Sequence, residues 1–153
     1  MEQTNQNKEL LFALLAGVLY SVFGILHIAE GLSINTGIAE VLFISGDILG
    51  GACLVIIGTV FLYGSREMAK GVNAGVSFVY VGILLSLVFM AVYILTMGGN
   101  LLDSFIVPDD YEGWSAVENF RPGIYLGVLP FMGILYWKNR FSLNEILVVR
   151  EVA

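Results

Sequence analysis

Four uninterrupted apolar blocks constrain the fold of this chain more than any other feature of its sequence. They occupy residues 10–30, 41–63, 72–97 and 122–138, and a helix needs roughly 20 apolar residues to cross a hydrocarbon core of about 30 Å. Only 13% of the residues are charged, about half the share found in soluble domains. Barrel strands would alternate polar and apolar residues, which these blocks do not. The sequence therefore predicts an all-α membrane protein, one domain over residues 1–153 that forms a four-transmembrane-helix bundle.

The fourth block is the shortest and contains two prolines. Pro122 is its first residue and suits the first turn of a helix, whereas Pro130 lies in its interior and removes a backbone hydrogen bond. We expect a kinked helix whose missing length is supplied by the flanking Phe120 or Phe141.

The basic residues predict the orientation of the bundle, because Lys and Arg near helix ends are retained in the cytoplasm. A four-span topology places six of them on one side: Lys8, Arg66, Lys70, Lys138, Arg140 and Arg150. Only Arg121 falls on the other side. We therefore expect a multi-pass protein of the cell (plasma) membrane with both termini cytoplasmic.

The connection between the third and fourth helices, residues 98–121, is long enough to carry structure of its own. Ser115 and Glu118 have capping-box spacing, which predicts a short helix there. The outer side holds most of the acidic residues, so a nucleic-acid partner is not expected. The acidic residues of this outer loop are Asp103, Asp109, Asp110, Glu112 and Glu118. The tail, residues 139–153, is predicted to be cytoplasmic and to form either a surface helix or a docking strand.

Small residues recur at helical spacing in the blocks. Helices in lipid associate by close approach of their backbones at such residues, so we interpret the glycines as packing positions. Those assigned to helix packing are Gly17, Gly24, Gly50, Gly51, Gly58, Gly75 and Gly82.

Few polar residues fall within the predicted spans, and each is costly there. His27 and Glu30 share a face of the first helix, while Asp47 lies about two turns inside the second, on a stripe that Glu40 would continue. We expect Asp47 to contact His27 directly or through one water. Such a polar intramembrane site could be a structural clamp, could carry proton or quinone-type chemistry, or could hold a metal with Glu30 and Glu40. One histidine is weak evidence for a metal, so metal and cofactors stay unassigned.

The second block carries a family resemblance. Asp47, the pair Gly50 and Gly51, and the later Gly58 resemble the acidic residue and glycines in the second helix of DoxX-like four-helix membrane proteins. In the first block, Gly17, Gly24 and His27 are similar to the glycine-rich first helix of that family. The acidic position is Asp here, where the family has Glu. The resemblance covers about a third of the chain and implies a small bundle that accompanies quinone-linked or redox enzymes.

Two functions from different classes follow. The first is a structural or accessory subunit of a larger membrane complex, in the redox or quinone-linked class that the resemblance implies, with no catalytic activity of its own. Its partners would be lipid and either other membrane subunits or further copies of the chain. The alternative is a stand-alone protein that handles protons, quinone, metal or a small solute at His27 and Asp47. No catalytic motif, such as a nucleophile elbow or a phosphate-binding loop, is present in the sequence.

Overall fold

The computed structural model describes residues 2–34, 37–39, 41–72, 74–108 and 120–137, with the side chains of residues 2–6 left out. These residues form four α-helices: α1 (Glu2–Gly31), α2 (Ile48–Ala69), α3 (Ala74–Ile106) and α4 (Pro122–Tyr136). The first three are long and apolar enough to cross a membrane, and α4 is a shorter apolar helix. The predicted all-helical, multi-pass architecture is thus confirmed, while the side of the membrane that each end occupies stays a prediction.

Helix α2 begins later than the predicted start at residue 41. Phe43 and Gly46 both adopt positive φ angles, 54° and 66°, so the segment before Asp47 turns and cannot continue a helix. Asp47 then serves as the N-cap, and its side chain accepts a hydrogen bond from the Gly50 N–H. The predicted position of Asp47 two turns inside the second span was therefore wrong, because it caps the helix instead.

Helix α3 ends later than predicted and continues through residues that were assigned to the outer loop. It continues through Gly98 and Gly99, which only weaken a helix, and ends at Ile106, two residues before Pro108. The segment 94–106 lies beyond the other helices and is called the α3 overhang below. Apolar side chains of this segment are exposed: the exposed fraction is 66% for Leu102, 77% for Phe105 and 74% for Ile106.

Helix α4 has the two features expected of it. Pro122 lies in its first turn and Pro130 lies inside it. Several predictions fall outside the described residues: Glu40, the capping box at Ser115, the tail 139–153, and the acidic positions Asp109, Asp110, Glu112 and Glu118.

The helices pack in a ring in which each contacts the next in sequence, and α4 returns to α1. The α1–α2 contact is the most extensive. There, a Cβ atom on Gly24 would lie 2.7 Å from the Gly51 carbonyl oxygen, and one on Gly51 would lie 2.8 Å from the Gly24 oxygen. Further along the same interface, Gly17 lies against Leu62, and Gly58 lies against Ser21. Backbones approach this closely only where both helices lack a side chain.

The other contacts place glycines mainly against side chains. Gly82 of α3 faces the ring of Phe61, and Gly127 of α4 faces Met90. Gly75 of α3 is an exception, because a Cβ atom there would lie 2.5 Å from the Met68 backbone nitrogen and 2.8 Å from the Gly64 oxygen. At the far end, the rings of Phe12 and Trp137 lie 5.0 Å apart. The early part of α1 and the end of α4 therefore lie on the same side of the bundle.

Candidate functional site

All four helices contribute one polar side chain to the end of the bundle where α1 finishes and α2 and α4 begin. These side chains are His27 of α1, the N-cap Asp47 of α2, Tyr93 of α3 and the N-cap Arg121 of α4. Asp47 interacts electrostatically or by hydrogen bond with each of the other three. We call these four residues the polar cluster.

Asp47 is held by two donors from different helices. Its Oδ1 accepts the Gly50 N–H at 3.0 Å, and its Oδ2 accepts the Tyr93 hydroxyl at 3.2 Å. The Gly50 N–H lowers the pKa of Asp47 from its usual value, and the Tyr93 hydroxyl acts in the same direction. The carboxylate therefore stays ionised and also satisfies the first turn of α2.

Two glycines make room for the Tyr93 side chain. A Cβ atom on Gly50 would lie 2.5 Å from the Tyr93 hydroxyl oxygen, and one on Gly123 would lie 2.5 Å from Cδ2 of its ring. Gly50 was predicted to be a packing residue between helices. Its contact is with a side chain of α3 and with the Asp47 cap, so it shapes the polar cluster.

Arg121 is a half-buried cation whose hydrogen-bond donors have few partners. Its guanidinium carbon lies 5.8 Å from the centroid of the Tyr93 ring. It precedes α4 as the N-cap residue but makes no side-chain capping hydrogen bond. Its Nε is buried without a hydrogen-bond partner, and it forms no ion pair with any described residue. Its donors are therefore not fully used within the part of the chain that the structure describes.

His27 is a buried member of the polar cluster. It is only 1% exposed, and its Cβ lies against Gly51 of α2. Its Nδ1 is buried and has no hydrogen-bond partner. Asp47 and Arg121 are both near enough to act on the imidazole electrostatically. The predicted direct hydrogen bond between His27 and Asp47 is not formed: Nδ1 has no partner, and Asp47 accepts from Gly50 and Tyr93 instead. A contact through one water stays a prediction.

The remaining predicted site residues do not add metal ligands. Glu30 is half-buried near the end of α1, where a neighbouring turn brings Gly46 against its backbone. Glu40 lies outside the described residues. Among the residues that the structure describes, no three His, Cys, Asp or Glu side chains are grouped so that they could hold a metal ion.

Sequence reasoning missed Tyr93 and Arg121 as members of the site. Arg121 had a signal, because it is the one basic residue that the predicted topology places on the acidic side. Tyr93 had none, since it is one of seven tyrosines in an apolar chain. Tyr125 was also missed: its hydroxyl donates to the Leu42 carbonyl at 2.9 Å and ties the turn before α2 to α4.

Comparison with known proteins places the whole membrane portion in one family. The family model described as the MJ0565 integral membrane domain matches residues 3–139, which includes all four helices and the polar cluster. No curated protein and no solved structure matches the chain. The resemblance to DoxX-like proteins is not shown by these comparisons, which support the coarser prediction of an integral membrane protein family.

Proposed function

Since the chain belongs to the MJ0565 integral membrane domain family, we propose that it is a membrane protein that binds a small ligand at the polar cluster. Buried side-chain atoms without a hydrogen-bond partner include the Tyr20 hydroxyl and Nε1 of Trp137, but the observation that carries this proposal is that two such nitrogens, Nδ1 of His27 and Nε of Arg121, belong to one cluster. A buried polar group that makes no hydrogen bond costs about 1–3 kcal/mol. An acceptor supplied by a ligand would recover that energy, whereas a purely structural clamp would pair its own members.

The alternative of proton transfer across the bundle has less support than binding. Toward the other end, the core is filled by Phe61 and Ile83, both fully buried, together with Ala13 and Ala16. Tyr20 and Ser86 are also buried in the bundle, but the Ser86 hydroxyl already donates to the Gly82 carbonyl at 2.7 Å. Tight apolar packing of this kind favours a site that is entered from one end only.

The ligand proposal can be tested by extracting the protein with its native lipid in nanodiscs and identifying the retained small molecules by native mass spectrometry. We expect a bound species in the wild type that is lost in Arg121→Gln. Arg66→Gln is the matched control, because Arg66 is an exposed arginine in the last turn of α2. If the wild type, Arg121→Gln and Arg66→Gln retained equal amounts of a small molecule, or if none of them retained any, a ligand site at the polar cluster would be refuted.

A role as an accessory subunit remains a second candidate, favoured by the α3 overhang. Leu102, Phe105 and Ile106 expose apolar side chains beyond the contacts of the other helices, and a neighbouring membrane subunit could cover them. Under this proposal the chain has no catalytic activity of its own. Purification in mild detergent would support it by yielding a fixed set of other subunits, and Phe105→Ser should release them. A lone monomer or homo-oligomer would exclude it.

We further propose that the polar cluster faces the outside of the plasma membrane. The basic residues described above support this orientation. In a Cys53→Ser background, cysteines placed at Lys70 and at Asp103 should react with an impermeant reagent from opposite sides of the membrane. Labelling of both from the same side would contradict the four-span topology.

A further inference from the structure

The unused donors of the polar cluster specify the kind of group that it binds. We infer that the site takes an oxyanion, a phosphate or carboxylate group, held by Arg121 and His27. This inference rests on the ligand site proposed above and specifies its chemistry.

The two helix N-termini at the polar cluster differ in how their positive ends are compensated. The N-terminus of α2 is capped by the Asp47 carboxylate, which also accepts the Tyr93 hydroxyl. The N-terminus of α4 has Arg121 at the cap position, with no side-chain hydrogen bond to its first turn. A cation at the positive end of a helix dipole is unfavourable. The α4 side of the cluster therefore carries positive charge, and the Asp47 carboxylate that acts on it is shared with the first turn of α2 and with Tyr93.

His27 is the second, independent observation that indicates a ligand. Its side chain is 1% exposed, its Nδ1 lacks a partner, and Arg121 acts on its imidazole. Nδ1 can donate in one tautomer of the neutral ring. Asp47 does not receive that hydrogen bond in this structure, where its oxygens accept from the Gly50 N–H and the Tyr93 hydroxyl. In that tautomer the missing group is an acceptor, as it is for the Arg121 Nε, which can only donate, and an oxyanion supplies several acceptors at once.

The oxyanion could come from either of two sources. Arg121 is half-buried at the N-terminus of α4. A lipid headgroup phosphate or a soluble anion could reach it there. The recognised chemistry is the same in both cases, so the experiment uses both sources.

The test uses the single histidine of the chain, whose imidazole signals need no assignment in a sample made with isotope-labelled histidine. The full-length protein is placed in dodecyl maltoside micelles, which contain no phosphate, and titrated with inorganic phosphate against chloride at equal ionic strength. In a second arm, phosphatidylglycerol is added instead.

We expect phosphate to shift the imidazole nitrogen signals and to raise the unfolding temperature. Arg121→Gln should weaken phosphate binding by about tenfold or more, as the loss of a charge-assisted hydrogen bond predicts. Arg66→Gln should bind as the wild type does.

Each outcome decides the question. If phosphatidylglycerol reproduces the shift and phosphate then adds nothing, the source is a lipid headgroup; if only free phosphate acts, the source is a soluble anion. No shift with either probe would overturn the oxyanion inference, as would equal shifts in wild type and Arg121→Gln. Should the nanodisc experiment meanwhile find a retained uncharged ligand, the binding site would stand and only its chemistry would be wrong.

Discussion

The α1–α2 interface and the polar cluster lie within one turn of each other, yet they follow opposite rules. At Gly24 and Gly51 two backbones touch with no side chain between them, and packing holds the helices together. At His27 and Arg121 buried nitrogens lack partners, which lowers stability. Interior positions of a membrane bundle therefore cannot be treated alike. Gly24 and Gly51 hold the helices together, whereas His27 and Arg121 are maintained at the expense of stability, as residues at ligand sites are.

The largest effect is expected from Gly51→Leu. A Cβ atom at this position would already lie 2.8 Å from the Gly24 oxygen and 2.9 Å from Cβ of His27, so a leucine side chain must push α1 and α2 apart. We expect a loss of about 3 kcal/mol or more in the free energy of unfolding, measured by denaturation in detergent. Gly99→Leu is the matched control, because nothing lies within 4 Å of that glycine. Equal tolerance of the two changes would refute the packing role of Gly51.

A smaller difference should separate two glycine-to-alanine changes. At Gly24 the added methyl meets the Gly51 oxygen and the Val55 backbone nitrogen, both at 2.7 Å, and backbone atoms have little room to move. At Gly82 it meets the Phe61 ring at 3.0 Å, which can shift by a few tenths of an ångström. We expect Gly24→Ala to cost about 2 kcal/mol and Gly82→Ala less than half of that. The free energies of unfolding of the two variants, measured in the same way, test this difference. A larger loss for Gly82→Ala than for Gly24→Ala would show that the α1–α2 backbones are not the tighter contact.

His27→Leu should change stability in the opposite direction. Leucine has a volume close to that of histidine but removes the unpartnered Nδ1, so the ligand-free protein should become more stable by about 1 kcal/mol. Ligand retention should be lost at the same time. A destabilised variant would indicate that His27 pairs with another group and belongs with the structural contacts.

The smallest effect is expected from Tyr93→Phe. The change removes the hydroxyl that donates to Asp47, but Asp47 is half-exposed and water can replace the donor. We expect a loss of about 0.5 kcal/mol in unfolding free energy. Asp47→Ala should cost more, about 1 kcal/mol, since it also uncaps α2, while Asp47→Asn should retain the cap. Equal losses for Asp47→Ala and Asp47→Asn would refute the capping role.

The sequence was sufficient to predict the helical architecture, because apolar blocks of membrane-spanning length have few alternatives in lipid. It was less reliable at helix ends. Hydropathy does not distinguish the turn at Phe43 from the helix that follows, and the glycines and Asn at 98–100, which suggested an end, do not end α3. The candidate site was only half found: His27 and Asp47 stand out as polar residues in apolar blocks, whereas Tyr93 joins them only through the packing of α3 against α4 around Gly123.

The shortness of α4 has a consequence for the bilayer itself. Its 15 residues extend for about 22 Å at 1.5 Å per residue, whereas a typical hydrocarbon core is about 30 Å thick. In the four-span topology proposed above, lipids next to α4 would therefore shorten or tilt to match it, while those beside the longer helices need not. Such hydrophobic mismatch costs a fraction of a kcal/mol per ångström. The protein should accordingly prefer thinner membranes, and in thicker ones it should turn the α4 side toward other proteins rather than toward lipid.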